Sequence, residues 1–293
     1  MTNSKITILV LIYNNQEYVE SCIESIIAAN GSDNVDIIVI DDCSNDKSVE
    51  VVENFIAHNN VQNLKLIINE ENLGINKSLA KGLGEIKTEY VKFIAGDDEF
   101  EPHALSVYND CIESERPDFI MSNLNLISAE GDYIGVKMCM PPKLLEINFF
   151  REVNMYVNEV TAPSICVKTD VFIKALKETT TRNAEDWPLL RYVIVNNLKI
   201  SLINEFLIKY RLHSASLSNS FFTNNLPKKL KNDLLQIYKE NYIFCSSVWS
   251  KFGVKCQVMC LNDNSLVRCI GKLGKFLNFQ YLMYRVFKKG YLK

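Results

Sequence analysis

The sequence predicts an α/β protein whose mostly parallel sheet is flanked by helices, and three observations point that way. Nearly continuous apolar runs (ITILVLI, VDIIVIDD, LKLII and YVKFIA) recur along the first third of the chain, the pattern of strands buried on both faces. Between them the apolar residues fall at helical spacing, so strands alternate with crossover helices. Three of the runs end in polar residues: Tyr13-Asn14-Asn15, Asp41-Asp42 and Asp97-Asp98. Ligands of open α/β sheets bind at the carboxyl ends of strands, so these ends mark a nucleotide-type site.

The first strand is Ile6–Tyr13. A single lysine precedes it, no small-residue cleavage site follows, and it runs into Asn14-Asn15, so it does not read as a signal peptide. Val19, Cys22, Ile23, Ile26 and Ile27 line one face of the next helix, which Gly31 stops. Val52, Phe55 and Ile56 mark a helix after the second strand, with Ser44 or Asp46 as its cap. A helix over Ile75–Lys87 follows the third strand. Pro102 opens another that runs to Glu115, since proline is tolerated in a first turn. The second half is less regular. DFIMSNLNLIS and YIGV flank a turn at 129–132 and predict a hairpin. Leu144–Tyr156 and Pro188–Asn196 read as helices, Ser164–Lys168 and Lys199–Arg211 as strands. Ser and Asn cluster over Ser214–Pro227, which divides a body at residues 1–220 from a helical extension at 221–293.

Composition argues against several classes. A net charge of −3 gives no reason to expect a nucleic-acid partner. The nine cysteines are scattered and form no C-x-x-C pair, which predicts reduced thiols and a cytoplasmic protein, with no zinc site or disulfide framework. No apolar run is long enough to span a bilayer. The first strand is not followed by G-x-G-x-x-G, and G-x-x-x-x-G-K-[ST] does not occur, which argues against a dinucleotide dehydrogenase and a P-loop NTPase. The charge is also uneven. From Pro227 to Lys293, thirteen Lys/Arg stand against three Asp/Glu, so an acidic body carries a basic tail.

The sequence over residues 5–215 resembles family 2 glycosyltransferases of the GT-A fold. VLIYNNQEYVESCIESI is similar to the family's opening strand-turn-helix, and IIVIDDCSNDKSVEVV to its VDDGSTD segment. ENLGINKSLAKGLG resembles its N-x-G helix, FIAGDDEFEP its D-x-D segment and AEDW its ED segment. Each match is weak alone, whereas their order and spacing together are specific. Three positions depart from the family pattern: Ala95 stands in place of the usual first Asp of D-x-D, Leu79-Ala80 in place of Arg-Asn, and Thr88 in place of Gly before Glu-Tyr.

The resemblance implies an inverting, metal-dependent enzyme that moves a sugar from a UDP-sugar, or a dTDP-sugar, to a saccharide hydroxyl. It implies bacterial cell-surface polysaccharide synthesis, capsule or O-antigen, with a lipid-linked acceptor. A leaving diphosphate carries negative charge, which a hard cation such as Mg²⁺ or Mn²⁺ disperses. Asp97 aligns with the metal carboxylate, with His213 as a further contact to metal or diphosphate, and Asp98 beside it at the ribose or a metal-bound water. Asp42 aligns with the acceptor for the uracil ring, since a carboxylate takes a hydrogen bond from an imide N–H. Tyr13 and Asn14 line the same pocket. Asp186 aligns with the catalytic base. Glu185 orients that site, because adjacent side chains diverge, and Trp187 and Arg211 lie toward the acceptor or diphosphate. Each residue has a plainer alternative. Asp97 and Asp98 would then belong to a solvated loop or a helix cap, Asp42 and Asp186 would be caps, and Tyr13, Trp187 and His213 would be packing residues.

The basic extension interleaves lysines with aromatic and aliphatic residues, as in VWSKFGVK and KFLNFQYLMYRVFKK. Such helices lie in the interface of an anionic membrane, here the inner face of the cell membrane, or pack on the catalytic body, or form a dimer contact. A reading of another class also stands. Ala95 and Leu79-Ala80 fit a degenerate, non-catalytic domain that binds nucleotide or glycan and scaffolds an assembly complex.

Overall fold

A computed structural model describes residues 6–31, 35–59, 61–139, 147–158, 160–214 and 226–291. Its strands are β1 (Ile6–Ile12), β2 (Asp36–Asp41), β3 (Leu64–Ile68), β4 (Tyr90–Ala95), β5 (Glu99–Phe100), β6 (Phe119–Ile127), β7 (Tyr133–Lys137), β8 (Ile165–Lys168) and β9 (Ile200–Arg211). Helices α1 (Val19–Ala28), α2 (Ser48–Asn59), α3 (Ile75–Leu83), α4 (Ala104–Glu115), α5 (Ile147–Val153), α6 (Thr169–Glu178) and α7 (Asp186–Val195) surround them. Four more helices close the chain: α8 (Lys228–Phe244), α9 (Val248–Cys260), α10 (Ser265–Leu277) and α11 (Phe279–Tyr291).

All nine strands join one sheet in the order β3-β2-β1-β4-β8-β6-β9-β5, with β7 paired to β6 off that path. The four apolar runs pair in parallel as expected, and β6 and β9 are also parallel. The β4–β8, β6–β8, β6–β7 and β5–β9 pairs are antiparallel, so the sheet is mixed. The change comes where strand no longer alternates with crossover helix. β6 and β7 form the expected hairpin, and the short β5 doubles back onto β9.

Helix α3 lies unusually close to the sheet. A Cβ on Gly82 would stand 2.2 Å from Ile40 Cδ1 and 2.6 Å from Leu9 Cδ1. That approach brings the first turn of α3 down to the strand ends. The helix stops at Leu83, short of the expected Lys87, because Gly84, Glu85 and Ile86 turn back onto Ala80, Gly82 and Leu83. Asp46 caps α2, accepting from Ser48 N (2.9 Å), while Ser44 is occupied with Asp41. Helix α7 begins at Asp186, so Pro188 lies inside its first turn. Residues 144–146 and most of the expected boundary at 214–227 lie outside the described residues.

A second core joins the extension to the body. Trp187 of α7 and Tyr156 pack with Ile237 and Tyr238 of α8, Val254 of α9 and Tyr284 of α11. The Trp187 indole meets Tyr238 edge-on at 5.2 Å. Arg191 Nη1 lies 2.6 Å from Glu240 Oε2, a nearly buried pair between α7 and α8. Among the described residues no helix is long and apolar enough to cross a membrane.

Gly82→Val would push α3 off β1 and β2. A loss of about 1–3 kcal/mol of unfolding free energy is expected by urea denaturation. An unchanged midpoint would show that the close approach carries no such constraint.

Candidate active site

Register places the polar strand ends along one edge. Ile12 of β1 lies opposite Asp41 of β2, and Leu11 opposite Ala95 of β4. The loops leaving β1 and β2 are zipped together there. Asn14, in the left-handed region at φ +56°, donates its N–H to Ser44 Oγ (2.9 Å) and accepts from Asn45 N through Oδ1 (2.8 Å). Asn15 N donates to Ser48 Oγ (2.8 Å). Asparagine tolerates this backbone because its short polar side chain bonds locally. The Tyr13 ring is exposed on the rim.

Asp42 is buried, and its carboxylate is full. Oδ1 accepts from Leu73 N (2.8 Å), Ser78 Oγ (2.8 Å) and Asn69 Nδ2 (3.1 Å), and Oδ2 from Gly74 N (2.9 Å). A carboxylate has about four lone-pair directions, so a base N–H would have to displace one of these donors. As placed, Asp42 braces the loop that opens α3. Gly74 in that loop has φ +82°, and a Cβ there would strike Arg182 at 2.6 Å. Arg182 in turn donates to Asn72 O (2.7 Å), and Asn76 Nδ2 donates to Thr181 O (2.7 Å) and Ala184 O (3.3 Å). The segment entering α7 is therefore fastened to the loop that Asp42 holds.

The acidic loop after β4 is stitched to the end of β9. Asp98 is fully buried, and its Oδ1 accepts from Arg211 N (2.9 Å) while Oδ2 has no partner. Burial first, and then the charge of Asp97, push its carboxyl well above the usual range. Arg211 is itself buried. Its Nε donates to Asp97 O (2.8 Å), Nη1 to Ser128 O (3.2 Å) and Ala129 O (3.1 Å), and Nη2 to Glu99. With four of its five N–H donors engaged and Tyr18 covering it at 4.9 Å, the buried Arg211 acts as a clamp within the loop and is not turned toward acceptor or diphosphate as expected. Asp97 is half-buried, with Oδ2 2.8 Å from His213 Nε2.

The Asp97–His213 pair fits a divalent cation. Adjacent ligands of an octahedral ion at about 2.1 Å stand about 3 Å apart, close to the separation these two atoms already have. Among the described residues no cluster of three or more His, Cys, Asp or Glu ligands forms. The donor set thus suits an ion shared with substrate phosphate oxygens and not a cage made by protein alone.

Glu185 and Asp186 are adjacent carboxylates at the start of α7. Asp186 Oδ1 accepts from Trp187 N (2.6 Å) and Oδ2 from Asn158 Nδ2 (3.2 Å). Burial raises Asp186 above its ordinary value against those donors, and burial together with the Asp186 charge pushes Glu185 up to about 8. The Asp186 charge thus favours the protonated form of its neighbour Glu185. Trp187 is not at the surface. It is 4 % exposed, with Nε1 donating to Asn154 O (2.6 Å), so it packs and does not stack on an acceptor sugar.

This sheet, with its acidic loop at the carboxyl edge, is the GT-A fold of nucleotide-diphospho-sugar transferases. The "Glycosyl transferase family 2" sequence model matches residues 7–169, and the chain belongs to that family. It is 26% identical over 260 residues to the "Uncharacterized glycosyltransferase MJ1057" of Methanocaldococcus jannaschii, covering 85% of this chain and 84% of that one. Over 105 residues it is 32% identical to the teichoic acid poly(glycerol phosphate) polymerase of Staphylococcus epidermidis, a match covering 36% of this chain but 14% of that larger protein. Among solved structures, S. aureus TarS 1–349 in complex with UDP aligns over 98% of this chain and 91% of its own, with a TM-score of 0.59 at 15% identity. The complex of TarS with UDP-GlcNAc aligns equally widely, with a TM-score of 0.58 at 16% identity.

Several residues that shape this edge escaped the sequence reading. Asn69, Ser78 and Asn76 are buried polar residues whose role depends on partners far along the chain. Lys92 is also buried, donating to Phe93 O (2.7 Å) and Pro163 O (2.9 Å), and burial pushes its pKa down to about 8. A single lysine inside an apolar strand was the signal for it. Arg211→Met should lower unfolding free energy by about 3–5 kcal/mol, as expected when one partner of a buried charge cluster is removed. Chemical denaturation checks this, and a fully stable variant with only weakened substrate binding would contradict the clamp.

Proposed function

We propose that this glycosyltransferase transfers a sugar from a UDP-sugar to a saccharide hydroxyl with inversion at the anomeric carbon. The observation that carries the reading is the 2.8 Å Asp97–His213 pair beside the carboxyl ends of parallel strands. The TarS complexes with UDP and UDP-GlcNAc support the donor class. The match to a teichoic acid polymerase supports an acceptor in a cell-surface polymer.

In this reading Asp97 and His213 hold Mg²⁺ or Mn²⁺. When bound, the cation disperses charge on the departing diphosphate. The Asp42-braced loop and the exposed Tyr13 ring form the base pocket, and Asn14 fixes the turn between them. Asp186 takes the proton of the acceptor hydroxyl as its oxygen bonds to the anomeric carbon and the bond from that carbon to the phosphate oxygen breaks. Protonated Glu185 donates a hydrogen bond beside it. Asp98 stays neutral and shapes the loop.

The test is UDP release from a panel of UDP-sugars with Mn²⁺, repeated with EDTA. Release from one donor that chelation abolishes is expected, and Asp97→Asn should remove it. If no donor reacts and UDP does not bind by calorimetry, the scaffold reading that Ala95 motivates replaces this one.

The pH dependence has a definite sign. A general base works only when ionised, and burial raises Asp186, so the ascending limb of kcat/KM should lie above the ordinary aspartate value of about 3.9. Asp186→Asn should cost about a hundredfold or more in transfer while the fold melts as in wild type. A variant that keeps full transfer activity would remove Asp186 from the mechanism.

A further inference from the structure

Helix α10 packs inside out. Its glycines face the protein: a Cβ on Gly271 would lie 2.8 Å from Cys256 O, and one on Gly274 2.5 Å from Cys256 Sγ. Its large apolar residues face water. Leu266 is 68 %, Leu273 65 % and Leu277 72 % exposed, with Ile270 also exposed between them. Their spacing of three and four residues puts all four on one helical stripe. A water-facing helix is normally the reverse, with its large apolar residues inward.

We propose that α10, with the start of α11, is a membrane-docking surface that lays the catalytic body on an anionic lipid bilayer. At about 1.5 Å per residue this helix is about 20 Å long, which suits lying in the interface and not spanning it. The surface continues past α10. Asn278, fully buried, donates to Trp249 O (2.8 Å) and caps α11 by accepting from Tyr281 N (3.0 Å), so the exposed Trp249 sits beside Leu277. Tryptophan at such a rim matches the polarity of the headgroup layer.

Charge selects the occupant. After Asp263 the chain holds seven Lys/Arg and no Asp or Glu. The exposed Phe276 widens the stripe on one side, with exposed Lys272 one turn before it and the guanidinium of exposed Arg285 5.9 Å over its ring, so these two cations border the apolar face. A negative lipid surface complements this, while a second copy apposed through the same face would bring like charges together. The docking rests on the glycosyltransferase reading only for its purpose, which is to hold the site near a lipid-linked acceptor.

The test uses the full-length protein and sedimentation with vesicles of phosphatidylcholine, with or without phosphatidylglycerol, at low ionic strength. Wild type should bind the phosphatidylglycerol vesicles about tenfold or more tightly than the neutral ones, and salt should weaken that binding. Leu273→Glu/Leu277→Glu should lose it by about tenfold or more while keeping the wild-type melting temperature and rate of UDP release. Lys272→Glu/Arg285→Glu, at exposed positions, should lose the lipid preference if the leucine variant fails to fold. Wild-type binding that ignores lipid charge, or variants that bind as wild type, would overturn the proposal. A wild-type dimer that these substitutions split, with no vesicle binding, would also overturn it and make the face a contact between copies. UDP release is measured without vesicles, so failure of the donor reading is separate from failure of the docking.

Discussion

The Arg211 guanidinium, buried at the end of β9, allows three acidic residues to stand in succession after β4. Three adjacent carboxylates repel one another and resist burial. The structure resolves this by giving each a different environment. Glu99 is paired with Arg211 and with Lys209 at 3.2 Å, Asp98 is fully buried and driven toward its neutral form, and the half-buried Asp97 carboxylate is paired with His213. Because Arg211 also binds the carbonyls of Ser128 and Ala129, the β6–β7 turn is drawn into the same assembly. The acidic run that makes a poor strand ending thus becomes a mount that holds the Asp97 carboxylate against His213.

The Asp42 carboxylate plays the matching part on the other flank. Its four donors come from a loop and helix some thirty residues further on, and that loop touches the segment leading into α7. The Asp42-braced loop and the proposed catalytic carboxylate therefore share one set of hydrogen bonds. Buried networks of this kind are costly when half satisfied, which favours their moving as a unit or not at all. Ala95, at the position where the family commonly has an acid, is exposed and adds nothing to that network.

Strand identity was legible in the first half because continuous apolar runs have few other uses, and the strand ends marked the edge where the candidate residues gather. The mixed pairing was not legible, since β5 is two residues long and β8 four, too short to show a period. Side-chain roles divided in the same way. Asp97 and His213 fall together as the motif order implies. Arg211 and Trp187 look like surface site residues in sequence, but burial assigns them to packing. That assignment depends on Glu99 and the carbonyls of Ser128 and Ala129 for one and on Tyr238 and Asn154 for the other, contacts that no local pattern encodes.

Trp187 shows why the extension is part of the enzyme's architecture. It follows Asp186 directly, and its indole N–H is tied to Asn154 O inside the core that α8, α9 and α11 complete. Arg191, one turn along the same helix, is held by Glu240 of α8. Without those helices the first turn of α7 would expose a tryptophan and lose the partner of a buried cation, each a loss of several kcal/mol. The position of Asp186 is thus set from two sides, by the Asp42-braced loop and by the C-terminal helices. A surface that fixes α9 and α10 against a plane would fix the orientation of the carboxylate pair to the same plane, through packed side chains and without any motion of the sheet.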